Sequence, residues 1–350
     1  MTTLKQIASE AGVSIRTVSI ALNGDPVSAR LSDSRVQEIQ QIARKRGYRV
    51  SAAARAIRFN RTNQIGILVR NDPKQPMLDP SGYETILGIN HQLEAYGYVV
   101  CLIRYTDLQK QFLSHSRVFD EHMLDGMISI GNISEASSRF IQKSQKNCVW
   151  IDNNLCEQWP NSINRDEFQA GLLAAHHVCQ LGYRRVFWIG PVPDETDCHF
   201  SVKQRYDGVK TRLSQQGIEP EKQILPSDDP LVTPSQIVRM FIKENVLIAY
   251  NQEKAAEITF LANNLGFRPG YDFGLVCCEE GYYTHRTAWN LSRVCFDRYQ
   301  VGTMAADMMF KLHQGGDVKQ LDPVKIPVHW IAGSTAWGPY HESERWMNGH

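Results

Sequence analysis

A glycine between two short amphipathic runs near the start of the chain restricts its fold more than any other feature. In Leu4 to Ala11, the residues Ile7, Ala8 and Ala11 recur at helical spacing. Gly12-Val13-Ser14 then interrupts the pattern. Gly12 can take the left-handed conformation that ends a helix, and Ser14 can cap the next one through its side-chain oxygen. A second helix is expected from Ile15 to about Leu22, with Val18, Ala21 and Leu22 inward. Two short helices joined at a glycine turn form a helix-turn-helix, in which the early residues of the second helix can meet base edges in the major groove of DNA.

The residue order adds to the pattern. Ala11-Gly12-Val13-Ser14, then Thr17-Val18-Ser19, then Leu22-Asn23 resembles the DNA-reading headpiece of the LacI/GalR family of bacterial transcription regulators. About nine positions match with their spacing, where a generic helix-turn-helix would fix three or four. The resemblance runs from about residue 3 to 336. It implies an N-terminal all-α helix-turn-helix head followed by an α/β, two-lobed, periplasmic-binding-protein-like body with two parallel doubly wound sheets.

Charge supports that division. Residues 1–62 carry 11 Lys/Arg against 4 Asp/Glu, while the rest carry 27 against 33. A basic segment on an acidic body suits a DNA-binding head on a soluble body. The length of 350 residues calls for two or three domains. MTTLKQIASE lacks the apolar run of a secretion signal, and no stretch approaches the 18 apolar residues of a membrane span. A cytoplasmic location is therefore expected. The eight cysteines include no C-x-x-C pair and read as reduced packing residues.

Within the head (1–50), Gly24-Asp25-Pro26 signals a turn, and Ser32 can cap a third helix from Asp33 to about Lys45. The resemblance places Ile15, Arg16 and Ile20 where the family reads bases. Arg16 can make a bidentate contact to guanine, while the isoleucines can offer apolar contact. Thr17, Ser19, Asn23, Ser34 and Arg35 fall to the phosphate backbone, which sets register. Residues 51–62 resemble the family's hinge, a short helix that orders in the minor groove of the bound dimer. Arg55 and Ile57 are its minor-groove residues, and Ile57 stands at the wedge position that relatives fill with leucine. An inserted apolar wedge unstacks a base step and kinks the duplex. Val50 stands where many relatives carry proline.

From Gln64 onward the texture is β-α-β-α, which argues for doubly wound parallel sheets. Strands are expected at 65–69, 98–103, 125–131, 148–152, 185–190, 246–250, 273–278 and 328–331. Helices are expected at 86–96, 108–122, 167–181, 202–216, 255–265 and 302–312, with another around Phe140. The body spans 63–336, with a first lobe of about 63–165 and 297–323 and a second of about 166–294 and 325–336. A polar tail covers 337–350.

Ligands of such sheets collect at the carboxyl ends of strands. Asn153, Asn251, Gln252 and Glu279 follow strands, His199, Ser201 and Arg205 precede or open a helix, and Ser81 and Tyr83 precede another. The resemblance implies that Arg205 and Glu279 hold a small effector. A guanidinium with a carboxylate suits a ring bearing neighbouring hydroxyls or a carboxylate group. Gln252 and Glu279 replace aspartates of relatives, Ser81-Gly82 stands where many have an aromatic pair, and Ala332-Gly333-Ser334 lacks a usual arginine.

No G-x-S-x-G, Walker, G-x-G-x-x-G or H-E-x-x-H motif occurs, so no catalytic residue, metal or cofactor is assigned. His176-His177 are adjacent on a helix and cannot face one site. The expected protein is a homodimeric repressor that presents two heads to pseudo-palindromic operator DNA and answers to a sugar-like ligand. The rival readings are the solute-binding protein of a transporter and a cytosolic enzyme.

Overall fold

The computed structural model describes residues 2–23, 31–49, 56–57, 60–70, 80–106, 118, 121, 123–144, 147–154, 159–191, 199–279, 290–314 and 321–339. Side chains are described throughout these ranges except at Asn23, Pro80, Ser81 and Ser144. Val50, Arg55, the helix expected at 108–122 and the tail beyond 339 lie outside the described residues, apart from isolated positions such as Val118 and Glu121. The chain divides into two compact units, 1–64 with 121–125 and 65–120 with 126–350.

The first unit begins with α1 (Leu4–Ala11), α2 (Ile15–Asn23) and α3 (Asp33–Lys45). Their starts and stops are chemical. Thr3 and Gln6 cap α1 reciprocally, and Gly12 ends it at φ 63°. Ser14 Oγ accepts from Thr17 N at 3.0 Å to start α2, and Ser32 Oγ accepts from Arg35 N at 3.4 Å to start α3. Ile7, Ala8 and Ala11 of α1 meet Val18 and Ala21 of α2 and Ile39 and Ala43 of α3 in one small core. Further along, Asp125 accepts from Thr62 N and Asn63 N, each at 2.7 Å.

The second unit holds two sheets with helices on their faces. The first lobe contributes β1 (Gln64–Arg70), α4 (Pro80–Ala95), β2 (Val99–Tyr105), β3 (Gly126–Ile130), α5 (Glu135–Ser144), β4 (Cys148–Ile151) and β5 (Ser162–Arg165). The second contributes α6 (Glu167–Gln180), β6 (Arg185–Ile189), α7 (Phe200–Ser214), β7 (Glu221–Gln223), α8 (Pro234–Val238), β8 (Asn245–Ala249), α9 (Gln252–Asn264), β9 (Gly274–Cys277) and β10 (Ser292–Cys295). The chain then returns with α10 (Arg298–Gln314), β11 (Val324–Ile326) and β12 (His329–Ile331).

The sheet orders are β11-β5-β4-β3-β1-β2 and β12-β10-β9-β8-β6-β7. Each runs outward from β1 or β6 in both directions, the doubly wound arrangement that the alternation implies. One edge departs from it, because β12 pairs antiparallel with β10. Ile65, Ile67, Ile128, Val149 and Ile151 fill the first core together with Phe296, Val301, Ala305 and Ile326 from the return. Trp188, Val246, Ile248 and Val276 face one side of the second sheet, and Phe187, Leu247, Leu275 and Cys277 the other.

The structure extends the sequence reading at several places. The strands β5, β7, β10 and β11 and the helix α8 were not expected. They are short, and β5 and β7 are largely polar, so no apolar run marks them. Helix α4 begins six residues before Ile86, at Pro80, which is well suited to a first helical turn. Helix α10 begins at Arg298 rather than Gly302. The last crossing to the second lobe falls after Ile326, because β11 pairs with β5.

The helix pairs α4–α10 and α6–α7 cross with backbones in contact. A Cβ on Gly302 would lie 2.1 Å from Thr85 O, and one on Gly88 would lie 2.2 Å from Tyr299 O. Gly171 and Gly208 play the same part for the second pair, at 1.9 Å from Arg205 O and 2.1 Å from Phe168 O. These glycines are needed because any side chain would push the helices apart.

Candidate functional site

Two regions carry the residues that the sequence singles out. The first is α2. Burying Val18 and Ala21 turns the opposite face of the helix outward. Arg16 is exposed, Ile15 is 48% exposed, and Ile20 is half-buried. The base-reading candidates therefore lie on or beside the open face of the second helix. The backbone candidates are less uniform. Thr17 Oγ1 and Ser14 Oγ are 2.8 Å apart, and Ser34 Oγ lies 3.1 Å from Ser32 Oγ. Ser19 is half-buried. Arg35 donates to Ala11 O at 2.8 Å and to Glu38 Oε2 at 2.6 Å, so its guanidinium fastens α3 to the end of α1. Ile57 of the expected hinge is 86% exposed.

The second region lies where the carboxyl ends of β4, β5, β8 and β9 face the first turns of α6, α7 and α10. Arg205 of α7 is 1% exposed and forks onto Glu167, with Nε to Oε2 at 2.6 Å and Nη2 to Oε1 at 2.9 Å. Its Nη1 donates to Tyr250 O at 2.8 Å and to Glu279 Oε2 at 3.0 Å. Its guanidinium also lies 4.7 Å from the Tyr250 ring centre. Burial alone would raise the Glu167 carboxyl, but the charges of Arg165 and Arg205 outweigh it and hold the group at about 2. Burial likewise works against the Arg205 cation, and Glu167 more than compensates, keeping it above the usual arginine range.

Arg165, the last residue of β5, reaches three acids. Its Nε is 3.1 Å from Asp152 Oδ1, its Nη2 is 3.1 Å from Glu167 Oε1, and its Nη1 is 3.3 Å from Glu279 Oε1. Arg298 Nη2, at the start of α10, donates to the same Glu279 Oε1. Arg165 and Arg298 both lie over the Phe296 ring, at 4.5 and 4.9 Å. Three guanidinium groups and three carboxylates thus meet in one buried group. Because Arg165 and Asp152 belong to the first lobe and Arg205 and Glu279 to the second, the group spans the boundary between the lobes.

A second chain of contacts runs beside it. His199 Nδ1 is 2.7 Å from Ser201 Oγ, which is 2.6 Å from Tyr250 Oη. On the other ring edge, His199 Nε2 is 3.0 Å from Asp152 O. Ser201 N also donates to Nδ1, at 3.4 Å. The neutral ring with its proton on Nε2 satisfies both ends. Burial pushes His199 below the ordinary histidine range, against the pull of Asp152. Phe200 N donates to Asn154 Oδ1 at 2.9 Å, a further link between the lobes.

Of the nine effector candidates, the structure brings His199, Ser201, Arg205 and Glu279 into one connected network. Asn153 is buried beside it in sequence, directly after Asp152. Asn251 caps α9 by accepting from Lys254 N at 3.0 Å, and Gln252 is the first residue of that helix. Tyr83 is 55% exposed on α4, and the Ser81 side chain is not described. Asp152, Arg165, Glu167, Tyr250 and Arg298 were missed. The strand-end rule would have found Arg165 and Glu167 had β5 been recognised, since they flank its end.

His176 and His177 do not converge on a site. His177 stacks on Trp330 with ring centres 4.4 Å apart, and Arg212 Nε donates to His176 Nδ1 at 3.4 Å. Among the described residues, no group of three or more His, Cys, Asp or Glu could hold a metal ion, and six free cysteines occur. No described helix is long and apolar enough to cross a membrane.

Residues 3–51 match the profile of bacterial regulatory proteins, lacI family, and residues 175–336 match that of the periplasmic binding protein-like domain. The chain is similar to the HTH-type transcriptional repressor PurR of Mannheimia succiniciproducens. The two are 21% identical over 327 residues, which cover 91% of this chain and 94% of that protein. It is similar also to the HTH-type transcriptional regulator RegA of Clostridium saccharobutylicum, at 23% identity over 89% of this chain and 92% of that one. In fold it is similar to the lac repressor dimer bound to operator and the anti-inducer ONPF, with a TM-score of 0.74, 17% identity, and coverage of 96% of this chain and 99% of that one.

Proposed function

This chain belongs to the lacI family of bacterial regulatory proteins, and from that premise we propose that it is a sequence-specific DNA-binding repressor controlled by a small ligand. The observation that carries the reading is the face of α2. Its inner residues Val18 and Ala21 are fixed in a three-helix core, and its early residues Ile15 and Arg16 stand open to meet base edges. Ile15, Arg16 and Ile20 read bases. Thr17, Ser19, Asn23, Ser34 and Arg35 contact or support the phosphate side, and Arg55 and Ile57 enter the minor groove. The protein acts in the cytoplasm as a homodimer on a pseudo-palindromic operator.

The ligand, a sugar or sugar derivative, lies between the lobes against His199, Ser201, Arg205 and Glu279, with Ser81, Tyr83, Asn153, Asn251 and Gln252 around them. It controls DNA affinity by binding one arrangement of the lobes better than another. The solute-binding alternative leaves residues 3–51 and their capped helices without a task.

Selection of duplexes from a random pool by the full chain tests the reading. The expected result is enrichment of one sequence with two half-sites about one helical turn apart. Recovery of unenriched DNA, held only by a salt-sensitive charge term, would sink it.

A further inference from the structure

The six charged side chains between the lobes are not equivalent. Glu167 is fully buried and is held by Arg205 through two bonds and by Arg165 through a third. Asp152 belongs to Arg165. These two acids fix Arg165 and Arg205 in place, while Arg298 lies over the Phe296 ring. Glu279 lies two residues beyond β9 and, at 16% exposure, is with Asp152 at 14% one of the two more open members of the group. Its two oxygens are surrounded. Oε1 takes Arg165 Nη1 and Arg298 Nη2, and Oε2 takes Arg205 Nη1. Donors from both lobes therefore converge on one planar carboxylate carried by a single side chain.

We propose that Glu279 is a tethered stand-in, and that the ligand of this cleft carries a carboxylate which takes the place of the Glu279 carboxylate among Arg165, Arg205 and Arg298. The inference rests on the reading of a ligand cleft given above and names the chemical class of its ligand. Removing the Glu279 carboxylate leaves three cations against two anions, with three N–H donors aimed at the vacated volume. A carboxylate-bearing polyol restores both the charge and the bonds. A neutral sugar in that place would strand a buried guanidinium charge, which is severely unfavourable. A neutral sugar placed elsewhere would find Arg205 occupied, since Glu167, Tyr250 O and Glu279 hold its fork.

Chemical rescue in the full chain tests this. Glu279→Ala removes the part of the side chain that acetate reproduces. The Tm of the variant is expected to fall and then to rise by about 2–3 °C in acetate at tenfold over its Kd, while the wild type is unmoved. Acetamide and chloride at matched ionic strength should do nothing. Equal shifts in variant and wild type, rescue by acetamide, or no acetate effect would overturn the proposal. Rescue by inorganic phosphate without rescue by acetate would overturn the carboxylate. If the variant fails to fold in chloride, refolding in acetate against acetamide gives the same decision. Glu279→Gln, which keeps the shape, should gain acetate affinity over wild type. Operator binding by the wild type is measured alongside. Failed rescue with operator binding intact sinks only the ligand class, whereas failed operator binding sinks the repressor reading.

Discussion

Replacing Glu167 by Gln tests whether the buried charges are held as described. In the folded chain the carboxyl titrates at about 2, against an ordinary value of 4.5. A group whose folded pKa is depressed adds stability above its unfolded pKa and loses it as pH falls through the folded one. Each pKa unit corresponds to 1.36 kcal/mol, so the shift corresponds to about 3 kcal/mol at pH 7. The cost of breaking a buried ion pair by removing one partner, about 3–5 kcal/mol, agrees with this. The variant should therefore melt about 4–6 °C below wild type at pH 7. Only the wild type loses this contribution between pH 4.5 and 2, so the gap should shrink by about half between pH 6 and pH 3. Urea unfolding followed by the fluorescence of buried Trp150 and Trp188 measures it. A gap under about 1 kcal/mol at pH 7, or one that stays constant down to pH 3, would refute the reasoning.

Arg16→Ala should weaken specific DNA binding by about 1–3 kcal/mol and relax one operator position, read by titrating single-base operator variants. Unchanged specificity would remove Arg16 from the reading set. Gly302→Ala places a Cβ 2.1 Å from Thr85 O and should cost about 1–3 kcal/mol in urea unfolding. The control is Gly82→Ala in α4, where no atom of the described residues lies within 4 Å of the new Cβ and where helix propensity favours alanine by about 1 kcal/mol. Thr3→Ala breaks the cap of α1 and should lower stability by about 1 kcal/mol, with lost helicity by circular dichroism as the second readout.

The head was legible in the sequence because its signals are local. Gly12, Ser14 and Ser32 act within a few residues of themselves, and the structure uses them as turn and caps. The central strands were legible because burial on both faces leaves an uninterrupted apolar run, as in Ile65 to Val69 and Val246 to Ala249. Ser162–Arg165 carries no such mark. It is a strand because β4 and β11 lie on either side of it, and that is a tertiary fact. The site inherits this difference. Arg205 and Glu279 could be named from the sequence. The partners that fill the Arg205 fork could not, because Glu167 and Arg165 flank the end of the unread strand and Arg298 lies before the expected start of its helix. No residue spacing shows that Arg205 already has a full complement of acceptors.

The return of the chain through α10 and β11 has a consequence for synthesis. Phe296, Val301, Ala305 and Ile326 belong to the same core as Ile65 and Ile128, and β11 closes an edge of the sheet that β1 begins. As the chain leaves the ribosome, the lobe translated first must wait for residues made after nearly all of its neighbour, and until they arrive its core is covered only in part, by Ile89 and Leu93 of α4. A stop codon anywhere before Ile326 should therefore damage the earlier lobe as well as the later one, whose own edge strand β12 comes later still.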